Sequence, residues 1–157
     1  MKEAELNTII KNSLLTEFSY KIPDAGFSKS IKRPFDGFGI YKGLPLYWEA
    51  KMNKSFGVLD LQKIEDHQIA NLLRIQRTLK VPNYCWLIWG VKVNNKTRIY
   101  IFDDMELINE RRNNEKNILL KELKTITNYG MVCNKLIDFS FYEGYNENSN
   151  NRIEKIS

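Results

Sequence analysis

Apolar residues recur with helical spacing at the start of the chain. Leu6, Ile10, Leu14 and Phe18 fall every four residues, with Ile9 beside them, and predict a helix over residues 3–19. Pro23-Asp24-Ala25-Gly26 follows as a turn or loop. Residues 33–41 and 44–51 predict two strands around Lys42-Gly43, with glycine supplying a positive φ at the turn. A second helical pattern covers 61–80, with Asp60 as candidate N-cap and Pro82 setting its end. Tyr84–Val93 is rich in aromatic and β-branched residues and predicts a buried strand, followed across Asn94-Asn95 by a strand over Arg98–Phe102. One or two helical segments should follow Asp103-Asp104, broken near Asn113-Asn114 and capped by Gly130. Met131–Phe141 predicts a last short strand. The order is that of an α/β protein with helices packed on a mixed central sheet.

Length changes this picture little. The 157 residues fit one domain, expected over 1–143, with the polar, Asn-rich stretch 144–157 as a frayed tail. No apolar run reaches the ~18–20 residues that cross a bilayer. Met1-Lys2-Glu3-Ala4-Glu5 has no apolar signal core behind it, so a cytoplasmic protein with no membrane partner is expected. Cys85 and Cys133 fit no metal spacing, and His67 is the one histidine, which argues against zinc and a disulfide framework. Cys85 reads as a small buried residue.

Charge adds more. Between Tyr20 and Lys54 lie seven basic residues (Lys21, Lys29, Lys32, Arg33, Lys42, Lys51, Lys54) and three acidic ones (Asp24, Asp36, Glu49), which accounts for nearly all of the net +5. A basic zone of this kind suits a polyanion partner or a solvated lysine-rich face.

The hairpin carries the chemistry. A two-residue loop at Lys42-Gly43 sets Tyr41 opposite Leu44, and counting outwards sets Asp36 opposite Glu49, with Cβ atoms ~5 Å apart. Two opposed carboxylates destabilise a sheet, and Phe35, Phe38, Tyr47 and Trp48 should lower the local dielectric. A hard divalent cation such as Mg²⁺ resolves the conflict, since it takes one or two carboxylates plus waters and phosphate. Strand alternation turns Ala50 away and brings Lys51 to the face of Glu49. The alternative is a solvent-facing hairpin with an ordinary Glu–Lys pair.

On the second helix Leu61, Ile64, Leu72, Ile75 and Leu79 form one stripe, with Gln68 in its middle. A glutamine there must find hydrogen-bond partners, either a backbone edge or the site. His67 falls off the stripe, exposed and within reach of a phosphate.

These residues resemble a known family. Pro34-Phe35-Asp36, twelve residues, then Glu49-Ala50-Lys51 is similar to the PD-(D/E)xK nuclease motif. Asp36-Gly37-Phe38-Gly39-Ile40-Tyr41-Lys42-Gly43, Tyr47-Trp48-Glu49-Ala50-Lys51 and Asp66-His67-Gln68-Ile69 resemble RecU-type Holliday junction resolvases over about residues 4–103. The resemblance implies a restriction-endonuclease-like core and a metal-dependent, structure-selective endonuclease, usually a homodimer, that cleaves DNA four-way junctions. It implies that Asp36 and Glu49 hold Mg²⁺ with the backbone carbonyl of Ala50, Mn²⁺ substituting. Lys51 would polarise the attacking water, Gln68 would match the family's helix glutamine, and a first-helix glutamate would complete the site. Glu5 is placed first for that role, although the helical wheel sets Glu3 and Glu17 nearer the apolar stripe. The chain departs from RecU-type enzymes between Pro23 and Arg33, a segment too short for their junction-entering stalk.

Given that resemblance, Lys29, Lys32, Arg33 and Lys54 are expected on DNA phosphates. Trp86 and Trp89 point to opposite faces of their strand; either one is core and the other available to a second copy, or the chain's own helices cover both faces. High Asn, Lys and Ile usage suits an AT-rich bacterial or phage genome. The competing readings are a restriction- or repair-type nuclease of the same superfamily, and a non-catalytic DNA-binding module of the same fold.

Overall fold

The computed structural model describes residues 1–14, 19–21, 33–54, 57–114, 117–119 and 129–142, with 19–21 and 117–119 described by backbone. In chain order, helix α1 (Glu3–Ser13) precedes β1 (Ser19–Lys21), β2 (Gly37–Tyr41), β3 (Leu44–Asn53) and β4 (Val58–Asp60). Helix α2 (Asp66–Thr78), β5 (Tyr84–Val93), β6 (Lys96–Phe102) and α3 (Met105–Asn114) follow, then β7 (Asn117–Leu119), β8 (Gly130–Cys133) and β9 (Leu136–Ile137).

Turn chemistry sets the hairpins. Lys42 (φ 48°) and Gly43 (φ 77°) both occupy the left-handed region, the two-residue turn whose twist matches that of the strands it joins. The ladder then runs from Tyr41↔Leu44 to Gly37↔Trp48. Asn94-Asn95 makes the same kind of turn between β5 and β6, as does Asn134-Lys135 between β8 and β9. The main sheet has the order β1-β2-β3-β5-β6-β8-β9, and β4 pairs with β7 in a second, two-stranded sheet. Strands β3 and β5 are parallel while their neighbours are antiparallel, so the sheet is mixed, and α2 supplies the crossover.

Helix α1 covers one face and α2 with α3 the other. Leu46, Trp48 and Ala50 of β3 pack with Leu6, Ile9 and Ile10 of α1. Cys85, Leu87 and Trp89 of β5 pack with Ile69, Leu72 and Leu73 of α2. Every residue from Tyr84 to Val91 is buried, as a central strand covered on both faces requires. Trp86 lies in the α1-side core and Trp89 in the α2-side core, both fully buried, so neither is available to a partner. Burial also pushes the Cys85 thiol up to about 12, leaving it inert.

Several boundaries differ from those the pattern predicts. Helix α1 ends at Ser13 and Ser19 already belongs to β1, while residues 15–18, with Glu17 and Phe18, lie outside the described residues. Residues 33–36 are a bend rather than strand. Asp60 caps a separate 3-10 turn, Leu61–Lys63, by accepting the Gln62 N–H at 2.9 Å. Helix α2 begins at Asp66, where Glu65 and Gln68 form a capping box, and stops at Thr78, leaving Leu79 exposed. Gly130 opens β8, and residues 120–128, where the helix it is expected to cap would lie, are outside the described residues; Met131–Phe141 is a hairpin followed by a 3-10 turn. The tail 144–157, Lys29 and Lys32 lie outside the described residues. No helix among those described is long and apolar enough to cross a membrane.

One glycine fixes the start of β2. A Cβ on Gly37 would fall 2.1 Å from the Trp48 ring, so the indole lies directly over that backbone. Gly37→Ala is expected to cost about 1–3 kcal/mol through overpacking. Urea unfolding checks this, and an unchanged midpoint would contradict it.

Candidate active site

The β2–β3 ladder ends one residue short of Asp36. The Asp36 N–H donates to the Trp48 carbonyl at 2.9 Å, so Asp36 and Gly37 share one partner. The direct Asp36–Glu49 cross-strand pair that the register predicts is therefore not made. The cause is the bend before Asp36, which α2 straps down. His67 Nε2 lies 3.0 Å from the Arg33 carbonyl, and Asn71 Nδ2 donates to the Pro34 carbonyl at 3.3 Å. A carbonyl only accepts, so His67 Nε2 carries the hydrogen. Its Nδ1 lies 3.3 Å from Glu65 Oε2, at the N-cap of α2.

Leaving the ladder frees the Asp36 side chain to act as a partner for the next strand. Asp36 Oδ2 accepts the Ala50 N–H at 2.9 Å and the Asn7 Nδ2 hydrogen at 3.0 Å. Asp36 Oδ1 lies 2.8 Å from the Arg33 guanidinium. Asn7 comes from α1 and is 3% exposed; its Oδ1 accepts the Trp48 Nε1 hydrogen at 2.9 Å.

Glu49 follows on β3 and is 1% exposed. Lys51, on the same face as alternation predicts, holds Nζ 3.2 Å from Glu49 Oε1 and 3.6 Å from Glu3 Oε1. Glu49 Oε2 is buried with no hydrogen-bond partner among the described residues. Desolvation first, and the neighbouring Asp36 second, push the Glu49 carboxyl up to about 8 against the pull of Lys51 and Arg33.

The other sequence candidates fall as follows. Glu3 and Glu5 are both exposed, and Glu3 reaches the cluster through Lys51. Glu3 lies one helical turn before Asn7, at the exposed start of α1. Gln68 is buried and its Oε1 accepts the Glu65 N–H at 2.9 Å, capping α2. Lys54 is exposed just beyond β3. Arg33 is engaged with Asp36. Asn7 was missed, although its signal was available: it falls on the same wheel face as Ile10 and Leu14, a polar residue on an apolar stripe. Among the described residues no three His, Cys, Asp or Glu side chains converge.

A mixed sheet flanked by helices, with Asp36 at the mouth of a hairpin and Glu49-Ala50-Lys51 on its second strand, is consistent with a restriction-endonuclease-like core of the PD-(D/E)xK class. The family model for RecU, recombination protein U, matches residues 5–155, and the chain belongs to that family of structure-selective endonucleases that resolve Holliday junctions. A sequence search of curated proteins returns no match. Membership places DNA as the partner and points to divalent-metal use.

The raised Glu49 carboxyl has a sign that can be tested. With the folded carboxyl near 8 and its ordinary value 4.5, the folded state holds an extra proton between them. That contribution is fully present below about pH 4.5 and is lost as pH rises through 8. In chelator, the urea midpoint should therefore fall from pH 5 to pH 8.5 more steeply in the wild type than in Glu49→Gln. Equal slopes would contradict the assignment.

Proposed function

We propose that this chain cleaves four-way junctions with Mg²⁺ held by Asp36 and Glu49. The observation that carries the reading is the buried, unpartnered Glu49 Oε2 beside a second buried carboxylate. A buried pair of carboxyl groups with an unused oxygen fits a hard cation that prefers one or two carboxylates, displaces the proton and keeps its waters. Asp36 would offer Oδ1, the oxygen that Arg33 now holds. The Ala50 carbonyl is a further ligand candidate: N–H and C=O of one strand residue point to the same neighbour, and the Ala50 N–H points to Asp36. When bound, the ion supplies Lewis acidity to phosphate and water.

The remaining chemistry belongs to this chain's own groups. Lys51 Nζ, steadied between Glu49 and Glu3, donates to the attacking water or to the phosphoryl oxygens, where charge grows in the transition state. Glu3 rather than Glu5 fills the helix-glutamate role by orienting Lys51. Gln68 spends its Oε1 on the helix cap, which leaves its amide hydrogens to serve the site. Arg33, released from Asp36, turns to a phosphate, with Lys54, Lys29 and Lys32 beside it in sequence.

Cleavage of a synthetic four-way junction and of matched linear duplex, with and without Mg²⁺, tests the reading. Asp36→Asn and Glu49→Gln should each abolish junction cleavage in folded protein. Lys51→Ala should lose roughly 10²–10³ in rate yet still bind Mg²⁺ by calorimetry. Near-normal cleavage by Asp36→Asn would overturn the assignment. Lys54→Ala should weaken binding to every duplex alike and lower the salt slope by about one; a change in base preference would count against a phosphate contact.

Resolution needs two related cuts, and the chain offers one such cluster among its described residues, so an isologous homodimer supplies the second. Sedimentation at micromolar concentration should show a dimer. A monomer that resolves junctions would refute that arrangement.

A further inference from the structure

The hydrogen-bond chain from Trp48 through Asn7 to Asp36 runs one way. An indole N–H only donates, so Asn7 Oδ1 must face Trp48 and Asn7 Nδ2 must face Asp36. The indole is itself immobilised, fully buried and lying over Gly37, the residue directly after Asp36. The Asp36 carboxylate therefore receives two N–H donors on Oδ2, one from Asn7 and one from the Ala50 backbone. Its rotation is fixed, and Oδ1 is the oxygen turned towards a cation, now the Arg33 guanidinium.

We infer that Asn7 is a positioning residue: anchored by Trp48, it holds Asp36 so that Oδ1 alone meets the metal. This rests on the metal reading above. Without Asn7, the carboxylate loses one of two donors and gains rotational freedom, and Trp48 Nε1 loses its acceptor. Partners that orient metal ligands typically contribute 10–100-fold in metal affinity.

The test follows the Trp48 indole ¹H–¹⁵N resonance, identified by its loss in Trp48→Phe, together with Mg²⁺ calorimetry on the full chain. In metal-free protein, Asp36→Asn should move the Trp48 indole signal, because the two are joined through Asn7. Asn7→Leu removes both hydrogen bonds at similar volume, and should move that signal and weaken Mg²⁺ binding 10–100-fold. Mg²⁺ should shift the Trp48 signal in the wild type but not in Asn7→Leu at saturation. A merely structural asparagine leaves the Mg²⁺ affinity and the Mg²⁺ response of Trp48 untouched, and that result overturns the inference. If Asn7→Leu fails to fold by circular dichroism, Trp48→Phe serves instead. It keeps Asn7, loses its anchor, and should weaken Mg²⁺ several-fold; wild-type affinity in that variant overturns the inference. If the wild type binds no Mg²⁺ while Asp36→Asn still moves the indole signal, the metal reading fails and the relay stands.

Discussion

The acceptance of the Ala50 N–H by the Asp36 carboxylate organises the rest of the site. A backbone donor in the middle of a buried strand must be paired. Here β2 has left the ladder by the point where its backbone would supply the acceptor, and a side chain takes its place. The substitution carries a buried anion into the sheet. That anion must in turn be satisfied, which it is by Asn7 from α1 and Arg33 from the bend. The bend persists because α2 holds its carbonyls through His67 and Asn71. One interrupted strand pair thus draws in the start of β2, the middle of β3, and side chains from α1 and α2.

Glu49 completes the arrangement by being costly. A carboxyl at 1% exposure beside a second carboxylate is disfavoured as an anion, and Lys51 offsets only part of that. The strain is relieved by a proton when no cation is present and by a cation when one arrives. The residues that would hold the ion are thus kept in place by neighbours that need no ion, while Oε2, which would meet it, stays without a hydrogen-bond partner.

Much of this was legible in the sequence, and the exceptions have physical reasons. The β2–β3 turn and the long buried β5 followed from Lys42-Gly43 and from β-branched and aromatic runs, which act locally. Alternation placed Lys51 on the face of Glu49, as found, whereas the direct Asp36–Glu49 pairing read from the register is not made. The kink at Asp36 did not, because it depends on α2 gripping Arg33 and Pro34 from more than thirty residues away. The start of α2 was misplaced at Asp60 although Glu65 and Gln68 carry a capping-box spacing, since Asp60 is an equally good cap and serves a 3-10 turn. The wheel pointed to Glu3, one turn from Asn7; Asn7's role required knowing that Trp48 lies across from it. The exclusion of Trp86 and Trp89 from any partner surface depended on helices covering both faces of β5, a tertiary fact.

The most direct measurement is anomalous diffraction from crystals of the wild-type chain grown with Mn²⁺. The account predicts one peak beside Asp36 Oδ1 and Glu49 Oε2, with the Arg33 guanidinium moved off Asp36 and Asn7 still bonded to Asp36 Oδ2. A fully occupied ion elsewhere, with Arg33 still paired to Asp36 and Glu49 Oε2 unpartnered, would contradict it.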